Sequence, residues 1–396
     1  MGGNGGLRLV FIGLIGMIFL GFAGRVHGSV RLGPLTVTPY VNVAGTFTDN
    51  VFRTPSNKDS DFYYSILPGV KIRARPIGRH EFYLDYYGDI SQFDTFTEAN
   101  YGVHSLDTGI GLDLPMGFGL KVADTFTYGA DPPDFEGDDT RPYLNNLARI
   151  EASSTFLDRF EVGVRYSNEF KDYEHSVDEI DNFKANADGG VLRVRVLRRI
   201  SVFGEYVYSN TDYQKAIRAN IWNNYANRVN GGVTWDITAK TRGVVRGGYV
   251  KRIYHRIDRD DEAIYASADI SHELTSHIIL TLRGVQDIFD TSRTDKNLLF
   301  STSYTSSQIR AGLQHTYRKF TTNIEGEYIH DRYLHDDLRV GKKRRDNLWR
   351  GSIGTEYQMQ RWVKLGLKYR YSNLDSNFDT EDYAENLISF FVGLSL

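Results

Sequence analysis

Hydrophobic and polar residues alternate one by one through most of this chain. Phe82, Leu84 and Tyr86 form one row, and Glu81, Tyr83, Asp85 and Tyr87 form the other. Val162, Val164 and Tyr166 alternate with Glu161, Gly163 and Arg165. Phe320, Thr322, Ile324, Gly326 and Tyr328 alternate with Thr321, Asn323, Glu325 and Glu327, and Val363, Leu365, Leu367 and Tyr369 with Lys364, Gly366, Lys368 and Arg370. Ile66, Pro68, Val70 and Ile72 alternate with Lys71 and Arg73 over the second half of their stretch. A period of two is the signature of a strand with two unlike faces, whereas helical spacing would scatter the charges round an axis. The last stretch shows it most plainly. Ile388, Phe390, Val392, Leu394 and Leu396 alternate with Ser389, Phe391, Gly393 and Ser395. An apolar face there needs a partner, because an open strand edge invites aggregation. A barrel set in lipid supplies one: the last strand closes on the first and its apolar face meets hydrocarbon.

Between the alternating stretches two kinds of connection take turns. The short ones are Arg75–Arg79, Leu114–Gly117, Leu157–Arg159, Leu197–Arg199, Thr238–Lys240, Thr275–His277, Tyr317–Lys319 and Gln358–Arg361. Longer polar loops lie between them, the most obvious being Asp131–Tyr143, Asp336–Asp346 and Asn377–Glu385. This rhythm predicts an all-β fold: one transmembrane antiparallel β-barrel of about 18 strands, with both termini on the periplasmic, short-turn side. Three positions sit awkwardly in that scheme. Asp124 and Asp188 fall on the apolar parity, which calls for a bulge or a place above the hydrocarbon. Pro39 lacks a ladder donor and belongs near a strand start.

Composition changes the picture in a few respects. Leu9–Phe22 is an apolar run behind Arg8, too short and Gly-broken for a membrane helix, and Val26-His27-Gly28 fits a small-residue cleavage site. Residues 1–28 therefore read as a cleaved signal peptide and residues 29–396 as the barrel. The mean hydropathy of −0.40 reads as soluble; alternation cancels the average in a barrel. The absence of Cys removes disulfides and thiolate sites, and a net charge of −3 offers no basis for a nucleic-acid partner. Aromatic residues gather toward strand ends, as at Phe62, Tyr64, Phe160, Phe320 and Trp362, where a headgroup layer would hold them.

No motif for catalysis stands out, and no cofactor is expected. Ser271-His272-Glu273 puts its neighbours on opposite faces of a strand, which spoils it as a triad. The acidic loop Asp134, Glu136, Asp138 and Asp139 does not match a calcium loop. The informative feature is the polar parity. It carries Lys71, Arg73, Glu81, Tyr83, Asp85, Tyr87, Glu161, Arg165, Arg246, Arg283, Glu325, Glu327, Arg350, Lys368 and Arg370. Unpaired charges in a dry core are prohibitive, so both signs facing inward imply a wet lumen or a wall of ion pairs. Tyr83 and Tyr87 would offer ring faces to sugars there.

Thr48-Asp49-Asn50-Val51-Phe52-Arg53-Thr54-Pro55, Ser60–Val70 and Ala99–His104 resemble the second family of outer-membrane β-barrel porins, β-barrel porin 2. The resemblance implies a large barrel serving as an outer-membrane exit for exopolysaccharide or capsular polysaccharide, and it carries no functional residue with it. Two other classes stand beside that expectation: a general or sugar-selective uptake porin, and a barrel enzyme or surface adhesin. The expected location is the bacterial outer membrane. Its expected partners are outer-membrane lipid and lipopolysaccharide, the barrel-assembly machinery, a periplasmic polysaccharide export protein and the transported polysaccharide.

Overall fold

The computed structural model describes residues 29–76, 80–130, 141–174, 179–215, 222–238, 240–256, 258–290, 303–337 and 341–395. The segment expected to be a signal peptide, most of the loop from Asp131 and the terminal Leu396 lie outside them. The strands are β1 (Val30–Leu32), β2 (Leu35–Thr48), β3 (Asp61–Ala74), β4 (Glu81–Phe93), β5 (Tyr101–Leu114) and β6 (Phe118–Ala130). Then follow β7 (Pro142–Phe156), β8 (Phe160–Tyr173), β9 (Phe183–Leu197), β10 (Ile200–Tyr213), β11 (Asn224–Thr238) and β12 (Thr241–Tyr254). The last are β13 (Asp260–Thr275), β14 (Ile278–Asp290), β15 (Ser303–Tyr317), β16 (Phe320–Tyr333), β17 (Arg345–Gln360), β18 (Val363–Ser376) and β19 (Tyr383–Ser395).

From β2 onward each strand pairs antiparallel with the next, and β19 returns to pair with β2 through Leu387–Thr48 to Ser395–Tyr40. The result is a closed 18-strand antiparallel barrel. The seam has two faces of its own. Leu394–Val41, Val392–Val43, Phe390–Gly45 and Ile388–Phe47 oppose one another on the outside, and the Thr46 and Ser389 hydroxyls bond at 2.9 Å on the inside. β1 occupies the rest of the β2 edge, pairing Val30–Val37 to Leu32–Leu35. Pro39 lies between the stretches of β2 paired with β1 and with β19. A residue without N–H fits where the edge changes partner.

The turns at one end are tight. Leu157 and Asp158, with φ of 52° and 51°, make a turn of the type whose twist matches the flanking strands. Met116 and Gly117 repeat it with φ of 63° and 73°, and a Cβ on Gly117 would lie 2.5 Å from the Thr155 carbonyl oxygen. At the other end the strands reach further into the loops than hydropathy indicates. β7 begins at Pro142, β17 at Arg345 and β19 at Tyr383, each inside a stretch expected to be loop. Asn and Asp replace Val and Leu on the outward face there, so the strands continue after the apolar signal has ended.

A repeated contact marks where that change occurs. Tyr166 opposes Asp188, yet its hydroxyl donates to Asn186 Oδ1 at 2.8 Å, two residues further along β9. The same diagonal joins Tyr206 to Asn227 at 2.6 Å, Tyr328 to Asn347 at 2.9 Å and Tyr369 to Asn386 at 2.7 Å. Tyr86 meets His104 Nδ1 at 2.8 Å in this way, and Tyr249 bonds Glu262. Asp124 takes the tyrosine's place between β6 and β7, accepting from Asn146 Nδ2 at 2.9 Å and 3.0 Å. Asp124 and Asp188 therefore face outward with no bulge beside them, the register shift of the β9–β10 ladder lying at its far end, at Ile200 and Ser201. They belong to a ring of polar pairs on the loop side of the apolar band. At the turn side Phe118, Phe156, Phe320 and Trp362 stand exposed as the opposite girdle.

This alternation predicts opposite outcomes at neighbouring positions of β19. Phe390→Arg puts a charge on the lipid face at a cost of about 2–4 kcal/mol near the bilayer midplane. Folding into lipid vesicles, read as heat-modifiable gel mobility, should fall sharply. Ser389→Asp, on the inner face opposite Lys368, should fold like the parent.

Candidate channel lumen

Directly opposed residues of a ladder point to the same side of the sheet, so the register assigns each side chain a face. Lys71 opposes Asp85, and Arg73 opposes Tyr83. Glu81 and Tyr83 oppose Gly111 and Gly109, and Tyr87 opposes Gly69. Glu161 faces Arg193, and Arg165 faces Gly189. Arg246 faces Gly232, and Arg283 lies between Asp269 and Arg310. Glu327 lies between Arg310 and Arg350, while Glu325 and Arg370 both oppose Ser352. Lys368 lies between Gly354 and Ser389. All of them share one face. The other face leaves Val43, Ile66, Val164 and Ile353 exposed. Two contacts show which side is concave. Arg228 of β11 reaches Asp287 of β14, and the Arg246 guanidinium of β12 lies 5.6 Å from the Phe203 ring of β10.

The inner charges are organised as pairs between strands. Arg73 grips both oxygens of Asp85. Arg193 donates to both oxygens of Glu161 at 2.8 Å and 2.9 Å, and Arg165 lies 2.8 Å from Glu205. Lys364 meets Glu356 at 3.2 Å. Glu327, with a side chain only 8% exposed, is held by Arg310 on one strand and by Arg350, at 2.7 Å, on another. Two-pronged arginine–carboxylate contacts fix geometry as well as charge. They also keep either sign from dominating the wall. A cavity of about 530 Å³ opens beside β6 to β10, and Lys121, Glu151, Glu161, Arg165, Arg193 and Glu205 face into it.

Nearer the long loops the interior becomes tighter. Arg344, almost fully buried, meets Asp346 at 2.8 Å and Glu381 at 3.3 Å, and its guanidinium lies over the Tyr333 ring at 5.1 Å. Burial pulls its pKa down, but Tyr333, Asp346 and Glu381 outweigh that and hold it above the ordinary value. Glu385 joins Arg370 at 3.4 Å to Arg53 at 3.8 Å, tying the first loop to the closing strand. Leu348, Leu374 and Tyr383 form a small apolar cluster beside these pairs. Sequence reading missed Arg53, Arg344, Asp346, Glu381 and Glu385. Extending the β19 parity back from Ser389 would have found Glu385, and extending the β17 parity back from Arg350 would have found Asp346; Arg53, Arg344 and Glu381 lie in loops, where alternation gives no signal. Outside the lumen, His272 bonds the Thr241 hydroxyl at 2.8 Å across β12–β13. Ser271 opposes Thr281 and takes the other face.

The comparisons agree with this architecture. A family model described as "Putative beta-barrel porin 2" matches residues 28–396. Among solved structures the chain is similar to a BenF-like porin from Pseudomonas fluorescens Pf-5, at 11% identity and a TM-score of 0.50, with 91% of this chain and 99% of that one covered. It is similar also to OpdQ of Pseudomonas aeruginosa, at 12% identity and a TM-score of 0.50, covering 91% and 98%. OccK2 (OpdF) of the same organism gives 10% identity and a TM-score of 0.50, covering 93% and 99%. No curated protein matches. The matched family places the chain in the bacterial outer membrane.

Glu327→Gln tests the pairing. It leaves two guanidiniums sharing a neutral amide, and loss of a charged hydrogen bond costs about 1–3 kcal/mol. Partial exposure of Arg310 and Arg350 puts the expected loss at the low end. The urea midpoint for unfolding from vesicles should fall accordingly, and the reversal potential in a salt gradient should move toward anion preference.

Proposed function

The chain belongs to the β-barrel porin 2 family, and from that premise we propose that it is a channel through which polysaccharide leaves the cell. The long loops then face outward, residues 1–28 are removed on export, and the short turns and the mature N-terminus lie in the periplasm. The observation that carries the reading is the inner wall of paired opposite charges: Arg73 with Asp85, Arg193 with Glu161, Arg165 with Glu205, and Glu327 with Arg310 and Arg350. Such a wall holds water without favouring anions or cations strongly. Hydroxyls of a neutral or weakly charged glycan exchange water for these partners at little net gain. Weak and repeated contacts suit passage, because one deep site would retain the chain. A periplasmic export protein is the proposed partner at the short-turn rim.

Planar-bilayer recordings should show conductance with low charge selectivity, and deletion of the gene should remove surface polysaccharide. Strong preference for one ion together with unchanged surface glycan would favour an uptake porin instead. Absence of conductance in any state would favour a barrel enzyme or adhesin.

A further inference from the structure

The inner wall is not uniform. Arginines line it from β7 to β18, at Arg149, Arg165, Arg228, Arg283, Arg310 and Arg350. On the inner faces of β19 and β2 to β5 only Arg73 appears, and aromatic rings with hydroxyls take over. Tyr63 and Phe93 stack at 4.6 Å and 28° near the long-loop end. Tyr101 pairs with the Ser91 hydroxyl, and Tyr87 with Asp89 one rung below. Tyr40 and Tyr87 flank Gly69 from the two sides. Tyr83 continues the series toward the short turns, opposite Gly109.

Two of these rings lie on glycine. A Cβ on Gly69 would sit 2.1 Å from Tyr40 Cζ, and one on Gly109 would sit 2.5 Å from Tyr83 Cε1. Absence of a side chain lets each ring lie over its neighbour's backbone instead of standing into the lumen. A flattened ring keeps the passage wide and turns its π face toward whatever passes. A cation stands close to each: Lys71 Nζ is 5.7 Å from the Tyr40 centroid, and the Arg73 guanidinium is 5.4 Å from that of Tyr83. Between the rings runs a hydroxyl ladder that is itself buried, with Thr46, Ser65 and Ser91 shielded from water. Ser65 bonds Ser91 at 2.7 Å, Ser91 donates to Asp89 at 3.0 Å, and Thr46 meets Ser389 at 2.9 Å.

We propose that Tyr63, Phe93, Tyr101, Tyr87, Tyr40 and Tyr83 form a carbohydrate track along the β2–β5 wall, taking pyranose rings face-on while the phenol hydroxyls and inner carboxylates exchange hydrogen bonds with the hydroxyls of the sugar. This rests on the channel reading and names which wall touches the sugar. The apolar C–H face of a pyranose stacks on an aromatic ring, and its rim of hydroxyls suits phenol and carboxylate partners. Rings spaced from the loop end to the turn end offer successive contacts of similar strength.

The probe is maltohexaose added to the purified barrel in detergent, with polyethylene glycol of matched size as comparison. Saturation-transfer NMR, irradiating the protein's aromatic protons, should label the sugar C–H protons and not the glycol. Tyr40→Ala and Tyr87→Ala should each weaken binding about two- to tenfold, the range of one stacked aromatic contact, whereas Tyr87→Phe should keep it. Leucine at the same positions preserves bulk and removes the ring should alanine loosen the wall, with folding checked by heat-modifiable mobility. Tyr369→Ala, on the outer ring, should leave binding unchanged. No transfer to the sugar, equal transfer to the glycol, indifference to the Tyr40 and Tyr87 variants, or equal loss from Tyr369→Ala would overturn the track. Intact binding with unchanged surface polysaccharide in the deletion strain would retire the export direction and leave the track standing.

Discussion

Everything in this molecule depends on the pairing of β19 with β2. Hydrocarbon offers no hydrogen-bond partner, so each backbone N–H and C=O left open at a sheet edge costs several kcal/mol. A ladder from Leu387–Thr48 to Ser395–Tyr40 removes both edges at once. β1 extends the cover along β2 where β19 has ended, with Pro39 at the change of partner. Once the edges are gone, the sheet is free to present two unrelated chemistries on its two sides.

Those chemistries solve different problems with the same period of two. The outer face has to match a layered solvent. Exposed Phe, Trp and Tyr stand at one level, aliphatic residues fill the middle, and diagonal Tyr–Asn contacts stand at the other level. A phenol with its ring in the apolar band and its hydroxyl on an amide suits a boundary between hydrocarbon and headgroups. Repetition of one diagonal geometry on β8, β10, β16 and β18 shows that ladder register positions it. The inner face has to keep charge wet without becoming a trap. Pairing across strands achieves this, as Glu327 does between Arg310 and Arg350, and it stiffens the wall where no solid core exists to do so.

The long-loop end is where the barrel comes nearest to a conventional interior. Arg344 with Asp346 and Glu381, the Arg53–Glu385–Arg370 chain, and the Leu348, Leu374 and Tyr383 cluster all lie there. Buried arginines need multiple carboxylates to offset lost hydration. Their contacts join loops to strands distant in sequence, such as Arg53 to Glu385.

Much of the architecture was legible in the chain itself. Lipid on one side and water on the other impose opposite costs on adjacent residues, so Val363–Tyr369 and Phe320–Tyr328 carry face and class in their alternation, and the rhythm of short turns and long loops carries the strand count. The alternation also put Arg73, Glu161, Glu327 and Arg370 on one parity before any contact was known. It could not say how far the strands run, because beyond the apolar band at Asn186 or Asn386 both faces are polar and the period disappears. Nor could it pair residues. Arg228 with Asp287, Glu327 between two arginines, Tyr40 over Gly69 and Asp124 beside Asn146 depend on the stagger between neighbouring strands. That stagger is set by closure of the whole sheet, a constraint no local stretch contains. The parity of each side chain was a property of the sequence; its partner was a property of the barrel.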